Sequence, residues 1–529
     1  MPSTLPALLP HPLQAPRPAH PGIPLPRAIQ RAAQTIDPLA AGRIFRSAAL
    51  MLGLLLLNMG GNPGAAVFFG ILTIMVFVSP AMAFKALGIM WLGLMANQAF
   101  VPKSLTWTPM RLVLPYLCLA RFAFDLLTSK SRVSLIRQPF YLVFLGYCAV
   151  MALCSVMSGW YTTIALFKLL NFWAAFTAIF AGAFILISRK IDIGEWVVSL
   201  VATAAGLGLL SVVTGEHYNV YKYGLQVKLF NGAFLHPNSH ASYGSLFIIF
   251  LVCVYTFSTY RRRWLVLPLL ATWGMFVLWS QSRTSITATM LGLVSLFIMT
   301  GPATRLQGWI RRSHLSRAHF ALLGVLALIG LLVGEVVSQG RVTAAVVGFI
   351  NKKEVTDPSQ GFDPTSILTS RIGLINAGLE NFYENPIFGI GFQVAKTEYF
   401  VQNATIFTAP AEKGFLPTAI LEEGGVLGTT AFLVFIGMLL GTFLWQRNVP
   451  ALTAFATFMG STMTEVSIFS PGGSGGFCWW MVAAAWVFGE LCWQPRAQAV
   501  ARSSHGRLDA ARPGVGRLPP LLPGFPVAG

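Results

Sequence analysis

The residues able to do chemistry gather in a few short polar stretches of an otherwise apolar chain. One reads Phe234-Leu235-His236-Pro237-Asn238-Ser239-His240, and a second is Ser280-Gln281-Ser282-Arg283-Thr284, a lone cation between two apolar runs. A third supplies Ser370-Arg371, then Asn385-Pro386-Ile387-Phe388-Gly389-Ile390-Gly391, then Glu412-Lys413-Gly414-Phe415-Leu416-Pro417 and Glu422-Glu423-Gly424-Gly425. A guanidinium can grip a phosphate through two parallel hydrogen bonds, which makes Arg283 and Arg371 candidate anion clamps. Lys168, about one turn into an apolar run, adds a cation where ionisable side chains usually have a function. A carboxylate can take a proton from an attacking hydroxyl, and Glu412 is the first choice for that base. His236 and His240 straddle a helix entry. With Asn238 and Lys413 they are candidates for contacts to a polar substrate, and either histidine could also serve as the base.

Each of these residues also has a plainer reading. For Arg283 it is an anchoring arginine that snorkels to lipid headgroups, for Arg371 a solvated helix cation, and for Lys168 a side chain reaching outward. Arg121, deeper in its run, suits a polar neighbour. Glu422 and Glu423 suit a role in capping or orienting the helix that follows them. The histidines would then simply wet a helix end. A metal site built from His217, His236 and His240 is not expected, because Pro237 interrupts the spacing and no carboxylate completes a known ligand set. Gly389 and Gly391 suit a tight turn after Pro386, not a nucleotide loop, since no strand precedes them.

The elements that must position these residues follow from composition. Of 529 residues, 55% are hydrophobic and only 10% charged, with a mean hydropathy of +0.66. Soluble domains carry roughly 25% charged residues, so a soluble fold is excluded. The net charge of +19 would point to nucleic acid in a soluble protein. Here the basic residues cluster in short loops between apolar runs, as membrane orientation requires. The six cysteines lie in or beside apolar runs without a C-x-x-C pair, so neither a disulfide framework nor a zinc site is expected.

Apolar runs predict spans at 47–59, 63–79, 83–101, 109–127, 138–157, 162–187, 194–213, 240–258, 264–281, 284–300, 318–338, 425–445, 449–468 and 475–491, about fourteen in all. Alternate loops are rich in Lys and Arg, which puts both termini in the cytoplasm and requires an even number of spans. The chain is expected to divide into a disordered, Pro-rich basic cytoplasmic tail (1–46) without a signal-peptide core, a first membrane block of eleven helices (47–338), a large periplasmic loop (339–424), three last helices (425–491) and a second disordered cytoplasmic tail (492–529). Thr214–Ser239 is a second long outer segment. Within the large loop, Ile372, Ile375, Leu379 and Phe382 recur at helical spacing up to Asn385-Pro386, predicting a short amphipathic helix over the membrane or a cavity.

The order of the outer motifs resembles the O-antigen ligase and Wzy-type polysaccharide polymerase superfamily. The resemblance rests on Pro237-Asn238, Ser282-Arg283, Ser370-Arg371, Asn385-Pro386, Gly389-x-Gly391 and the Glu423-to-Gly428 entry, over roughly Tyr218 to Phe435. It implies an all-α polytopic membrane protein of GT-C-like architecture with a cavity opening outward beneath the large loop. The implied activity is a metal-independent, cofactor-free glycosyltransferase that polymerises undecaprenyl-pyrophosphate-linked repeat units into exopolysaccharide or O-antigen at the periplasmic face of a bacterial inner membrane. The implied partners are the lipid-linked glycan, the bilayer and other polysaccharide assembly proteins, with no nucleic acid. Many ligases of the superfamily have a His-Asn pair where this chain has Glu412-Lys413. That departure favours polymerisation over the alternative, ligation of glycan to lipid A core. A transporter or flippase of lipid-linked sugars is the alternative of another class. Transporters usually show repeats, broken helices and midplane polar residues, whereas this chain keeps its polar residues at one face. A purely structural subunit would not need the loop arginines.

Overall fold

The computed structural model describes residues 38–103, 107–128, 135–215, 218–220, 228–234, 236–258, 266–280, 282–300, 366–403, 413–463, 468–470 and 473–493. These form helices α1 (Pro38–Leu56), α2 (Gly61–Val78), α3 (Pro80–Met95), α4 (Trp107–Thr128), α5 (Pro139–Ser158), α6 (Thr162–Ser188) and α7 (Gly194–Thr214). After them come α8 (Pro237–Phe257), α9 (Val266–Trp279), α10 (Arg283–Thr300), α11 (Ser366–Glu384), α12 (Glu398–Asn403), α13 (Leu416–Trp445), α14 (Val449–Thr462) and α15 (Ser474–Phe488). Between α7 and α8, β1 (Tyr218–Val220) pairs antiparallel with β2 (Lys228–Phe230), Tyr218 opposite Phe230.

Helix starts follow local chemistry. Proline opens α3, α5 and α8 at or next to the first helical position, where its missing N–H costs nothing. Ser79 accepts from the Met82 N–H at 3.2 Å to cap α3, and Asn448 caps α14 through Ala451 at 3.0 Å. A 3₁₀ turn over Leu57–Gly60 and Gly61 at φ +66° divide α1 from α2, at the Gly60-Gly61-Asn62-Pro63 turn expected from the sequence.

The described residues include seven helical stretches long and apolar enough to cross a membrane: Gly42–Val78, Pro139–Ser158, Thr162–Ser188, Gly194–Thr214, Asn238–Phe257, Arg283–Thr300 and Leu416–Trp445. The chain is thus a helical, multi-pass membrane protein. Seven is fewer than the expected number because the first two expected spans fall in one stretch, α3, α9, α14 and α15 are shorter helices of 14–16 residues, and α4, although 22 residues long, carries Arg111, Arg121 and Asp125. The expected span at 318–338 lies outside the described residues.

Packing between helices uses aromatic rings and small residues. Phe144 of α5 stacks on Phe176 of α6 at 4.0 Å between centroids, and Phe176 meets Trp479 of α15 edge-on at 5.2 Å. Tyr147 of α5 stacks on Phe435 of α13 at 5.7 Å. Membrane helices gain little from hydrophobic burial against each other, so close van der Waals fit does the work. The contact of α10 with α14 illustrates it: a Cβ added at Gly292 would stand 2.0 Å from Thr457 Oγ1.

Among the described residues, the buried charged side chains are Asp125, Lys168, Lys413, Glu422 and Glu423. Asp125 is accounted for by Arg121, at 3.6 Å one turn away, and by an ion pair with Arg189. Arg121 thus has the polar neighbour expected of it. The other four belong together.

A buried charge cluster at a broken helix

Helix α13 is interrupted where two glycines adjoin. Gly425 has φ +58° and ψ −158°, so the helix stops at Gly424 and restarts at Val426. A break leaves amide and carbonyl groups without helical partners, and in an apolar bundle each must be satisfied by protein. The segment after α11 does so. Val426 N–H donates to Pro386 O at 2.8 Å and Leu427 N–H to Ile387 O at 3.2 Å, while Ile390 N–H donates to Glu422 O at 2.8 Å and Gly391 N–H to Glu423 O at 3.0 Å. The backbones approach too closely for side chains. A Cβ on Gly389 would stand 2.5 Å from Glu422 O, and one on Gly425 would stand 2.4 Å from Ile387 C and O. Gly389 also has φ +66°. The glycines expected to ease a turn therefore also let one chain segment dock into a helix break.

This docking sets the positions of the four charges. Lys413, just ahead of α13, lies with its Nζ 3.0 Å from Glu422 Oε2 and 3.4 Å from Glu423 Oε1. All three side chains are 7% exposed or less. Asn381 of α11 donates to the other oxygen of Glu422 at 2.8 Å. Lys168 of α6 donates to the backbone oxygen of Gln393 at 2.9 Å, lies 5.0 Å above the Phe400 ring, and is close enough to feel the charges of Glu423 and Lys413. Two lysines and two glutamates make a group with no formal net charge, the condition under which buried ions are tolerable. Glu423 is seven residues past Leu416, about 10 Å along the axis at 1.5 Å per residue. The cluster is thus near one end of a 30-residue helix, not at its centre.

The polar stretches of the sequence meet at that end. Ser158, at the close of α5, donates to Ile390 O at 3.2 Å, and Trp160 to Ala395 O at 3.4 Å. Leu416 N–H donates to Met463 O at 3.2 Å, just beyond α14. Gly460 of α14 abuts Ala288 of α10, and Ser245 of α8 donates to Ser285 O of α10 at 2.8 Å. The starts of α6, α8, α10 and α13 and the end of α14 are therefore neighbours along one end of the bundle.

The residues singled out from the sequence fall as follows. Lys168 and Lys413 are brought together with the two glutamates. Arg283 begins α10, half-buried, with its Nε and one terminal nitrogen buried and lacking hydrogen-bond partners. The hydroxyls of Ser282 and Ser285 meet beside it at 2.9 Å. Arg371 is on α11, the same helix as Asn381; its side chain lies outside the described residues. That helix carries the expected 372, 375, 379 and 382 stripe and ends one residue before Asn385. Glu412 lies outside the described residues and is joined in sequence to Lys413. His236 caps α8, its Nδ1 accepting the Asn238 N–H at 3.2 Å. His240 is fully buried among Phe230, Phe234, Trp273 and Phe276, with ring centroids 5.1–5.5 Å away, and neither of its nitrogens has a hydrogen-bond partner.

Sequence reasoning missed the importance of Glu422 and Glu423. Their side chains do not cap the helical segment that restarts at Val426, because its first N–H groups donate to Pro386 O and Ile387 O while both carboxylates face Lys413. Gln393 was also missed: it is 3% exposed, has φ +56°, and its Nε2 has no partner. The available signal was two carboxylates directly before an apolar run, an expensive placement unless a cation is at hand. The metal-free expectation concerned His217, His236 and His240, of which His217 lies outside the described residues.

Residues 268–433 match the family model described as O-antigen ligase. The match runs from within α9 into α13 and includes Arg283, Arg371, the docked segment, Lys413, Glu422 and Glu423. The resemblance to the O-antigen ligase and Wzy-type superfamily holds over that span, and it supports a membrane enzyme of the ligase and polymerase type. Lys168, His236, Asn238 and His240 precede it. No curated protein matches the chain.

Proposed function

With residues 268–433 matching an O-antigen ligase model as the premise, we propose that this chain is a glycosyltransferase that polymerises undecaprenyl-pyrophosphate-linked oligosaccharide repeat units at the periplasmic face of a bacterial inner membrane. The observation that carries the reading is the buried Lys168, Lys413, Glu422 and Glu423 cluster at one end of the bundle, built largely from the matched span. In the proposed reaction the acceptor hydroxyl oxygen attacks the anomeric carbon of the donor. The bond from that carbon to the pyrophosphate oxygen breaks, and the electron pair leaves with the pyrophosphate. The hydroxyl proton passes to Glu412 as general base. Arg283 and Arg371 meet the pyrophosphate, where bidentate donors stabilise the charge that develops on the leaving group. His236 and Asn238 border the glycan path, from which His240 is shut off by its four aromatic neighbours, and the reaction uses no metal.

Fourteen spans, a GT-C-like arrangement and cytoplasmic termini complete the proposal, supported by the apolar runs and by the Lys and Arg content of alternate loops. Polymerisation is preferred to ligation onto lipid A core because Glu412-Lys413 replaces the His-Asn pair of many ligases. A helix broken inside the membrane is also a transporter device, in which freed carbonyls bind the coupling ion. Here the carbonyls of Glu422, Glu423, Gly424 and Gly425 accept from Ile390, Gly391, Cys154 and Thr429, which favours the enzyme.

The test uses the purified chain with a synthetic undecaprenyl-pyrophosphate repeat unit, with and without chelator. Polymer should form in both, and Glu412→Gln should lower turnover by about 10²–10⁴-fold while donor still binds. Wild-type protein that converts no lipid-linked glycan would end the proposal. Near-normal turnover in Glu412→Gln, with loss in a His236 variant, would move the base to the first stretch.

A further inference from the structure

Resting on that reading, we propose that Glu423, Gln393 and Lys413 form a subsite that grips one hydroxyl of the acceptor glycan. The ion cluster is incomplete as a hydrogen-bonding group. Glu423 Oε1 faces Lys413 at 3.4 Å, but Glu423 Oε2 has no partner, although the residue is only 2% exposed. Gln393 has its Nε2 unpartnered at 3% exposure. Lys413 Nζ carries three N–H donors and faces one oxygen of each carboxylate, at 3.0 and 3.4 Å, which leaves it a donor to spare. Leaving a buried polar group unsatisfied is costly, so a residual acceptor and two residual donors in one cluster call for a ligand that both donates and accepts.

These groups are tied to each other. Gln393 accepts from Lys168 through its backbone oxygen, and its peptide N–H acts on the Glu423 carboxylate. Its φ of +56° is held by the docked segment, whose neighbouring Gly391 donates to Glu423 O. A hydroxyl donates one hydrogen bond and accepts two, which fits Glu423 Oε2 as acceptor and Gln393 Nε2 with Lys413 Nζ as donors. A water molecule offers the same chemistry as a sugar hydroxyl. The position one residue from Glu412, the proposed base, favours the sugar: a group that holds the acceptor should adjoin the one that deprotonates it.

The experiment is a coupling measurement on the full chain in detergent or nanodiscs. Acceptor repeat units lacking one hydroxyl at a time are assayed against the same lipid-linked donor, with wild type, Glu423→Gln and Gln393→Asn. Asparagine tolerates the left-handed backbone but withdraws the amide by one methylene. Wild type should lose about 10–100-fold in kcat/KM for one deoxy acceptor, the size expected when a buried polar group loses its partner. Both variants should lose a similar factor on the parent acceptor and then no longer discriminate against that deoxy compound, with donor KM unchanged. Wild-type discrimination retained by the variants at every position would overturn the subsite and leave the groups as the site of a structural water only. If Glu423→Gln does not accumulate in the membrane, Gln393→Asn decides by the same readout. Wild type inactive on every lipid-linked donor would fail the functional reading itself. An active wild type with indifferent variants fails the subsite alone.

Discussion

Removing the Lys413 ammonium should be among the costliest single changes to this protein. Its Nζ lies 3.0 Å from one carboxylate and 3.4 Å from another, and all three groups are nearly excluded from solvent. At an effective dielectric of about 20 each attraction amounts to roughly 5 kcal/mol. Most of that is offset by the several kcal/mol needed to desolvate each ion. The net worth of the cluster is therefore small while it is intact, but the cost of breaking it is not. Lys413→Met keeps the length and apolar stem of the side chain and leaves two adjacent buried carboxylates without their main counter-ion. Truncating one member of a buried pair costs about 3–5 kcal/mol. The double variant Lys413→Met, Glu422→Gln removes one charge of each sign, leaves Lys168 with Glu423, and should recover most of the loss. Thermal unfolding of detergent-solubilised protein, followed by tryptophan fluorescence, gives the ranking: wild type and the double variant close together, Lys413→Met well below. A loss under about 1 kcal/mol, the size of an exposed ion pair, would refute the reasoning, because the cluster would then be solvated.

Other expectations follow from separate features. Arg283→Ala and Arg371→Ala should each abolish polymer formation at normal membrane levels, with Arg→Lys rescuing poorly because a point charge lacks the bidentate fork; full activity in an alanine variant would reduce that arginine to a headgroup anchor. Gly389→Ala and Gly425→Ala should each prevent the docking of 386–391 into the α13 break, read as protease sensitivity near residue 390, whereas Gly437→Ala, open to space within 4 Å, should be silent. Lys103 lies between α3 and α4, donates to Gly93 O and lies 4.5 Å above the Trp107 ring, and burial pushes its pKa down to about 7. The unfolded chain then binds more protons between about pH 7 and the ordinary lysine value. Stability should rise over that window, and Lys103→Met should flatten the Tm-versus-pH curve there; an unchanged slope would count against the burial. Cysteines placed at Asn351 or Asn403 should react with an impermeant thiol reagent on spheroplasts and one at Arg262 should not, and the reverse pattern would put the site in the cytoplasm.

The helical membrane class was legible in the sequence because it depends on local quantities. Run length, scarcity of charge and the spacing of apolar residues are all counted along the chain, and a helix satisfies its own backbone within the segment. The stripe at Ile372, Ile375, Leu379 and Phe382 and its end at Asn385-Pro386 were readable for the same reason, as was the Gly60-Gly61 turn. Lys168 and Lys413 stood out as cations in costly places. Their partners did not. Glu422 and Glu423 read as a polar helix entry because the apolar run begins at Gly425, yet a helical segment already runs from Leu416 to the break there and holds both. The pair is tolerated inside it because Lys413, nine and ten residues earlier in the chain, folds over to meet both carboxylates. Gln393, with no charge and no motif, was invisible until the 386–391 segment entered the helix break and fixed its backbone. His240 looked like a polar residue at a helix entry, but four aromatic rings from β2, the loop after it and α9 enclose it. What a residue is can be read from the chain; which distant groups neutralise or enclose it depends on how non-local segments dock, and only the tertiary structure decides that.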